Sequence, residues 1–151
     1  MFRQLLTFLN APEAERKPPE LRVAVAVLLL EAAHRDDEFG AEERTAIERL
    51  LTKKFALSAE ECAQLLASCE ATSERMTQLH PYTQAIFTQM PIEERVQFME
   101  MLWEVVYADG VLDPEEDALI RRLGGLIYVS DRDRVLARQR ALARLGRTAA
   151  D

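Results

Sequence analysis

The sequence predicts an all-α protein, a single compact bundle of about seven helices. Three observations carry that expectation. Apolar residues recur three and four apart over most of the chain. No useful stretch alternates in the two-residue rhythm of a strand. The chain also matches itself without a gap when shifted by 73 positions. Identities include Pro18/Pro91, Glu20/Glu93, Arg22/Arg95, Val23/Val96, Leu29/Leu102 and Glu31/Glu104, then Asp36/Asp109, Glu42/Glu115, Glu43/Glu116, Ile47/Ile120, Arg49/Arg122 and Leu50/Leu123. Ordinary residue usage would give roughly two identities over such a span. We read an internal duplication with units at 18–57 and 91–130, inside a helical domain of residues 20–147 preceded by a helix and linker at 1–19.

Each element has a local reason. Phe2, Leu5, Leu6 and Leu9 have helical spacing, and a proline-rich, mixed-charge linker follows to Pro19. Glu20 to Arg35 is apolar nearly all round, which places it at the centre. An acidic turn from Asp36 to Gly40 leads into a helix from Ala41 to Lys54. Ser58-Ala59-Glu60-Glu61 forms a capping box and opens a helix to about Thr77, with Cys62, Leu65, Leu66 and Cys69 on its buried side. A short helix is expected from Tyr82 to Met90, after His80-Pro81. Pro91 suits the first position of a helix reaching Ala108, in which Val96, Met99, Leu102, Trp103 and Val106 keep the 3.6-residue period. Asp113 to Leu126 is the next helix, and Ser130 caps a last one reaching about Leu145.

The 151 residues suffice for one core, and 48% hydrophobic with 30% charged residues describes a globular chain. A net charge of −7 disfavours nucleic acid as a partner. Bases gather late, at Arg121, Arg122, Arg132, Arg134, Arg138, Arg140, Arg144 and Arg147. A solvated final helix packed through Val135, Leu136, Leu142 and Leu145 is the plainer reading of that segment. Peripheral contact with an anionic membrane, or docking to an acidic partner, is the sharper one. Cys62 and Cys69 are the only cysteines, seven apart on one helix face, and two helical turns (about 10 Å) are too far for a bridge. Reduced thiols point to a cytoplasmic protein. No signal peptide is expected, and Val23 to Leu30 is far below the ~20 residues of a membrane span.

The acids around the two turns carry the chemistry. Asp113 at the N-cap, Pro114 at N1 and Glu116 at N3 make a capping box, and Glu42 and Glu43 hold equivalent places after Gly40. Capping alone would explain these glutamates. Asp36 and Asp109 are harder to explain, because they stand at helix C-termini, where the dipole disfavours an anion by roughly 0.3–1 kcal/mol. A compensating cation is wanted in both units. A bound metal would serve, and so would Arg49 or Arg122, which also repeat. Glu31 and Glu104 lie inside apolar helices and are second-tier ligands; Glu31 has Arg35 at i+4, whereas Glu104 has Ala108. Neither turn is an EF-hand. With Gly110 and Glu116 at loop positions 6 and 12, positions 1 and 3 fall on Val105 and Tyr107, which cannot bind calcium. A metal would therefore need ligands pooled from both units. All-oxygen ligation suits Ca²⁺ or Mg²⁺, and Zn²⁺ less well; His34 would admit a transition metal, although a single His near a helix end is more often structural.

Two helices ending in an acidic turn, as in "YADGVLDPEEDALIRRL" and the degenerate "HRDDEFGAEERTAIERL", resemble the tellurite-resistance TerB family over about residues 20–145. Asp37 stands where the pattern has glycine. The resemblance implies an all-helical domain with an internal pseudo-two-fold, a link to metal-ion and oxyanion stress, and an acidic metal-binding centre. Carried over, that centre is Asp36, Glu43, Asp109 and Glu116. The expected function is a non-enzymatic, cytoplasmic, metal-binding stress-response module. The alternative is a structural or protein-partner-binding domain without metal, in which Arg49 and Arg122 neutralise the acids. No catalytic residues are assigned: no phosphate loop, GxSxG or Cys/His pairing is present.

Overall fold

In the computed structural model, the structure describes residues 19–33, 40–73, 78–110 and 112–146. These form seven helices: α1 (Leu21–Ala33), α2 (Ala41–Phe55), α3 (Ala59–Ser73), α4 (His80–Gln89), α5 (Ile92–Val106), α6 (Pro114–Leu126) and α7 (Asp131–Arg144). The described residues contain no strand. The expected N-terminal helix, the turn holding Asp36 and residues 74–77, the expected end of the helix opened by Ser58, lie outside the described residues. Among those described, no helix is long and apolar enough to cross a membrane.

The fold is organised around α1. Its residues Ala24 to Leu30, with Ala32 and Ala33, are buried, and it packs against α2, α3, α4, α5 and α6. A helix touched on all sides cannot afford a polar face, which is why this stretch is apolar all round. The second centre is α5, where Phe98, Met99, Leu102, Trp103 and Val105 are fully buried. Its most extensive packing is with α7.

Helix ends follow local chemistry. Ser58 Oγ accepts from Glu61 N–H at 3.1 Å while Glu61 Oε1 accepts from Ser58 N–H at 2.9 Å, the reciprocal box the sequence predicts. Ser130 Oγ accepts from Asp133 N–H at 3.1 Å and opens α7. Pro91 is the N-cap of α5 rather than its first helical residue, and α4 begins at His80, two residues before Tyr82. Cys62, Leu66 and Cys69 are buried as their spacing requires, and burial pushes the Cys69 thiol up to about 11, an inert thiol at neutral pH. Val135 faces solvent instead of the domain; Ala137 and Ala141 take the inner positions of α7 beside Leu142. Small residues there let α7 approach α5 closely.

The two units keep step. Helix α1 ends at Ala33 and α5 at Val106; α2 begins at Ala41 and α6 at Pro114. Both pairs stand 73 residues apart, the offset of the sequence match.

Candidate acidic centre

Glu116 is placed by its cap. Asp113 Oδ1 accepts from Glu115 N–H at 2.8 Å, and Glu116 Oε1 accepts from Asp113 N–H at 3.1 Å. This fixes the Glu116 side chain over the start of α6, where it is 8% exposed. Glu43 holds the equivalent N3 position in α2 and is also 8% exposed. Its N-cap is Gly40, which has no side chain to cap with. Gly40 has φ −71°, so glycine is not needed there for backbone freedom. What a side chain there would meet is Glu43: a Cβ at Gly40 would overlap Glu43 Oε2, the far end of a flexible side chain that would have to move aside. The carboxylate of Glu43 thus occupies the space an ordinary side chain would fill. That oxygen is buried and has no hydrogen-bond partner.

Asp109 reaches the same place from the end of α5. The chain turns there through Gly110, whose N–H donates to Tyr107 O at 3.0 Å and whose φ of 88° favours glycine. Electrostatics joins the three acids. Burial pushes the Glu43 carboxyl above its ordinary range; its own backbone N–H offsets part of this, and the charges of Asp109 and Glu42 add to the rise. Burial is likewise the largest cause at Glu116, which is pushed up to about 7. The hydrogen bond from Asp113 N–H opposes that rise, while the charges of Asp109, Asp113 and Glu43 add to it. Glu43, Asp109 and Glu116, drawn from both acidic turns, therefore share one field.

Other expected residues fall elsewhere. Asp36 lies outside the described residues, as do His34 and Arg35. Glu31 is half-buried on α1. Glu104 is 4% exposed and is engaged: Arg144 Nε donates to its Oε1 at 3.0 Å. Arg144 Nη1 also donates to Glu100 Oε1 at 2.6 Å, and Arg140 stands 3.8 Å from Glu100 Oε2. Burial works against the charge of Arg144, but its hydrogen bonds to Glu100 and Glu104 outweigh this and its pKa is raised. Glu100 was not among the expected residues, although its place one turn before Glu104 was a usable signal. Arg144 is 40 residues from Glu104 and had no local signal. Arg49 and Arg122, proposed as neutralising partners, make no ion pair among the described residues.

Carboxylate oxygens alone make a hard donor set, and the buried Glu43 carboxylate, hydrogen-bonded with Asp109 but with Oε2 itself lacking a partner, suits a cation or a shared proton. Among the described residues, however, no three His, Cys, Asp or Glu side chains are grouped closely enough to hold a metal ion.

The family model for tellurite resistance protein TerB matches residues 22–139, most of the chain and both acidic units. The protein belongs to the TerB family. Comparison with curated proteins and with solved structures finds no match. Within this TerB-family chain, the matched span runs from the start of α1 into α7 and includes Glu43, Asp109 and Glu116.

Proposed function

We propose that this TerB-family protein is a non-enzymatic, cytoplasmic module whose two duplicated units pool Asp36, Glu43, Asp109 and Glu116 to take up a divalent cation, Ca²⁺ or Mg²⁺ before Zn²⁺. The observation that carries this reading is the shared field of Glu43, Asp109 and Glu116, with one Glu43 oxygen buried and unpaired. Like charges gathered from two helix starts and a helix end cost free energy unless a cation or a proton joins them. The matching helix ends at the 73-residue offset support the duplication on which pooling depends.

The chain's own residues have distinct tasks. Glu116 spends Oε1 on the cap, which orients the carboxylate and leaves Oε2 for a cation, so capping and ligation are compatible. Gly40 leaves room for Glu43, and Asp109, at the end of α5, adds its charge to the field at Glu43 and Glu116. A bound divalent ion would supply two positive charges and draw the two units together. Titration calorimetry of the ion-stripped protein with Ca²⁺, Mg²⁺ and Zn²⁺ tests the proposal. One ion per chain is expected, with binding lost in Asp36→Asn plus Asp109→Asn. No heat with any of the three ions would pass the function to the metal-free, partner-binding alternative, with the centre taking up protons only.

A further inference from the structure

A cleft of about 490 Å³ opens between α2 and α5, with Arg144 of α7 in its lining. Its volume is within the range of small-ligand sites. Leu50 and Met101 supply apolar lining, and Arg49, Lys53, Lys54 and Arg144 bring cationic heads to it. Four cations around one cleft stand out in a chain of net charge −7.

Pairing accounts for only part of that charge. Glu100 and Glu104 are taken up by Arg144 and Arg140. Lys54 stands 3.7 Å from Glu94. Arg49 and Lys53 have no ion pair among the described residues, and as like charges at i and i+4 they cost the helix a few tenths of a kcal/mol. Lys53 complements the α2 dipole from the last turn, but Arg49 stands before it. Two cations are thus left over beside an apolar lining.

Arg144 makes the cleft more than a charged surface. Two carboxylates, each more than nine-tenths buried, hold its Nε and Nη1. Its Nη2 has no acceptor among the described residues. The guanidinium is held in place before any ligand arrives, so little rotamer entropy remains to be lost on binding.

We infer that this cleft binds a small organic phosphate monoester, its dianionic head met by Arg49, Lys53 and the free edge of Arg144, and its apolar body lying on Leu50 and Met101. A surplus of two positive charges matches a phosphate monoester, which carries about −1.5 to −2 near neutral pH. The site is separate from the acidic centre and does not depend on a metal there.

Phenyl phosphate is the probe, titrated at low salt while amide signals are followed by heteronuclear NMR. Shifts should centre on Leu50, Gln97 and Met101. Benzoate, with one charge, and inorganic phosphate, with no apolar body, should each bind about tenfold more weakly. Arg49→Gln plus Lys53→Gln, two exposed positions outside the core, should keep the fold and weaken phenyl phosphate by at least about tenfold. Shifts confined to other surfaces, equal binding by the double variant, or equal binding of inorganic phosphate would each overturn the proposal.

Discussion

Glu116 caps α6, and the proposed function gives the same side chain a second task as a ligand. Glutamine retains the oxygen that accepts from Asp113 N–H but removes the charge, so Glu116→Gln should stay folded while losing most ion affinity, as calorimetry would show. The same residue sets a pH dependence. Its carboxyl is raised from 4.5 to about 7 in the folded chain. Between those values the folded state holds a proton that the unfolded state has released, so stability falls as pH rises. The contribution is present in full below the unfolded value and is lost through the folded one. In divalent-free buffer the melting temperature should therefore drop from about pH 5 to pH 7.5, and drop less in Glu116→Gln. Parallel curves would show that Glu116 is already ionised throughout. Gly40 is the complementary residue. Gly40→Ala is compatible with φ −71°, so its effect should come from pushing Glu43 aside. Ion affinity should fall while the apo melting temperature changes little.

At the scale of elements, α7 is tied to α5 by charge as well as packing. Arg144 joins Glu100 and Glu104, and Arg138 donates to Tyr107 Oη at 2.7 Å while lying 5.5 Å from the centre of the Trp103 ring. Its basic residues therefore do not form a uniformly solvated face. Arg144→Ala would leave two buried carboxylates without their main partner. Arg144 is itself half-exposed, and water entering the cleft would soften the loss, so about 2 kcal/mol is expected by urea denaturation. Adding Glu100→Gln and Glu104→Gln should recover part of it; failure to recover any would mean that Arg144 matters through packing alone. Helix α1 tests the core in the same way. Leu29 is fully buried, and Leu29→Ala should cost about 2–5 kcal/mol.

For the molecule as a whole, the two units share one core, so an ion bridging them would stabilise the entire fold. An ion that binds only the folded chain at one hundred times its Kd contributes about 2.7 kcal/mol. For a domain of this size that is a melting-temperature rise of about 5–10 °C. Calcium or magnesium should produce it in the native chain and not in Asp36→Asn plus Asp109→Asn. Unchanged melting across all three ions would separate the helical fold from any role in metal binding.

Helix identity, helix order and the central place of α1 were legible from the residues, because apolar period, capping boxes and proline positions act within a few residues of one another. The capping box at Asp113 and the buried cysteine face are examples. That Glu116 feels the charges of Glu43 and Asp109 is written in no local stretch: the self-match supplies equivalent acids in both turns, and their pooling was expected only on condition that a metal binds. The remaining arrangements needed the folded chain. Val135 turned outward because Ala137, Ala141 and Leu142 take the buried face of α7. Glu104 found its cation 40 residues away, on a helix whose arginines looked solvated. Gly40 proved to be a matter of space rather than of backbone freedom. Contacts between residues distant in sequence are decided by how helices pack, and local periodicity carries no record of which faces will meet.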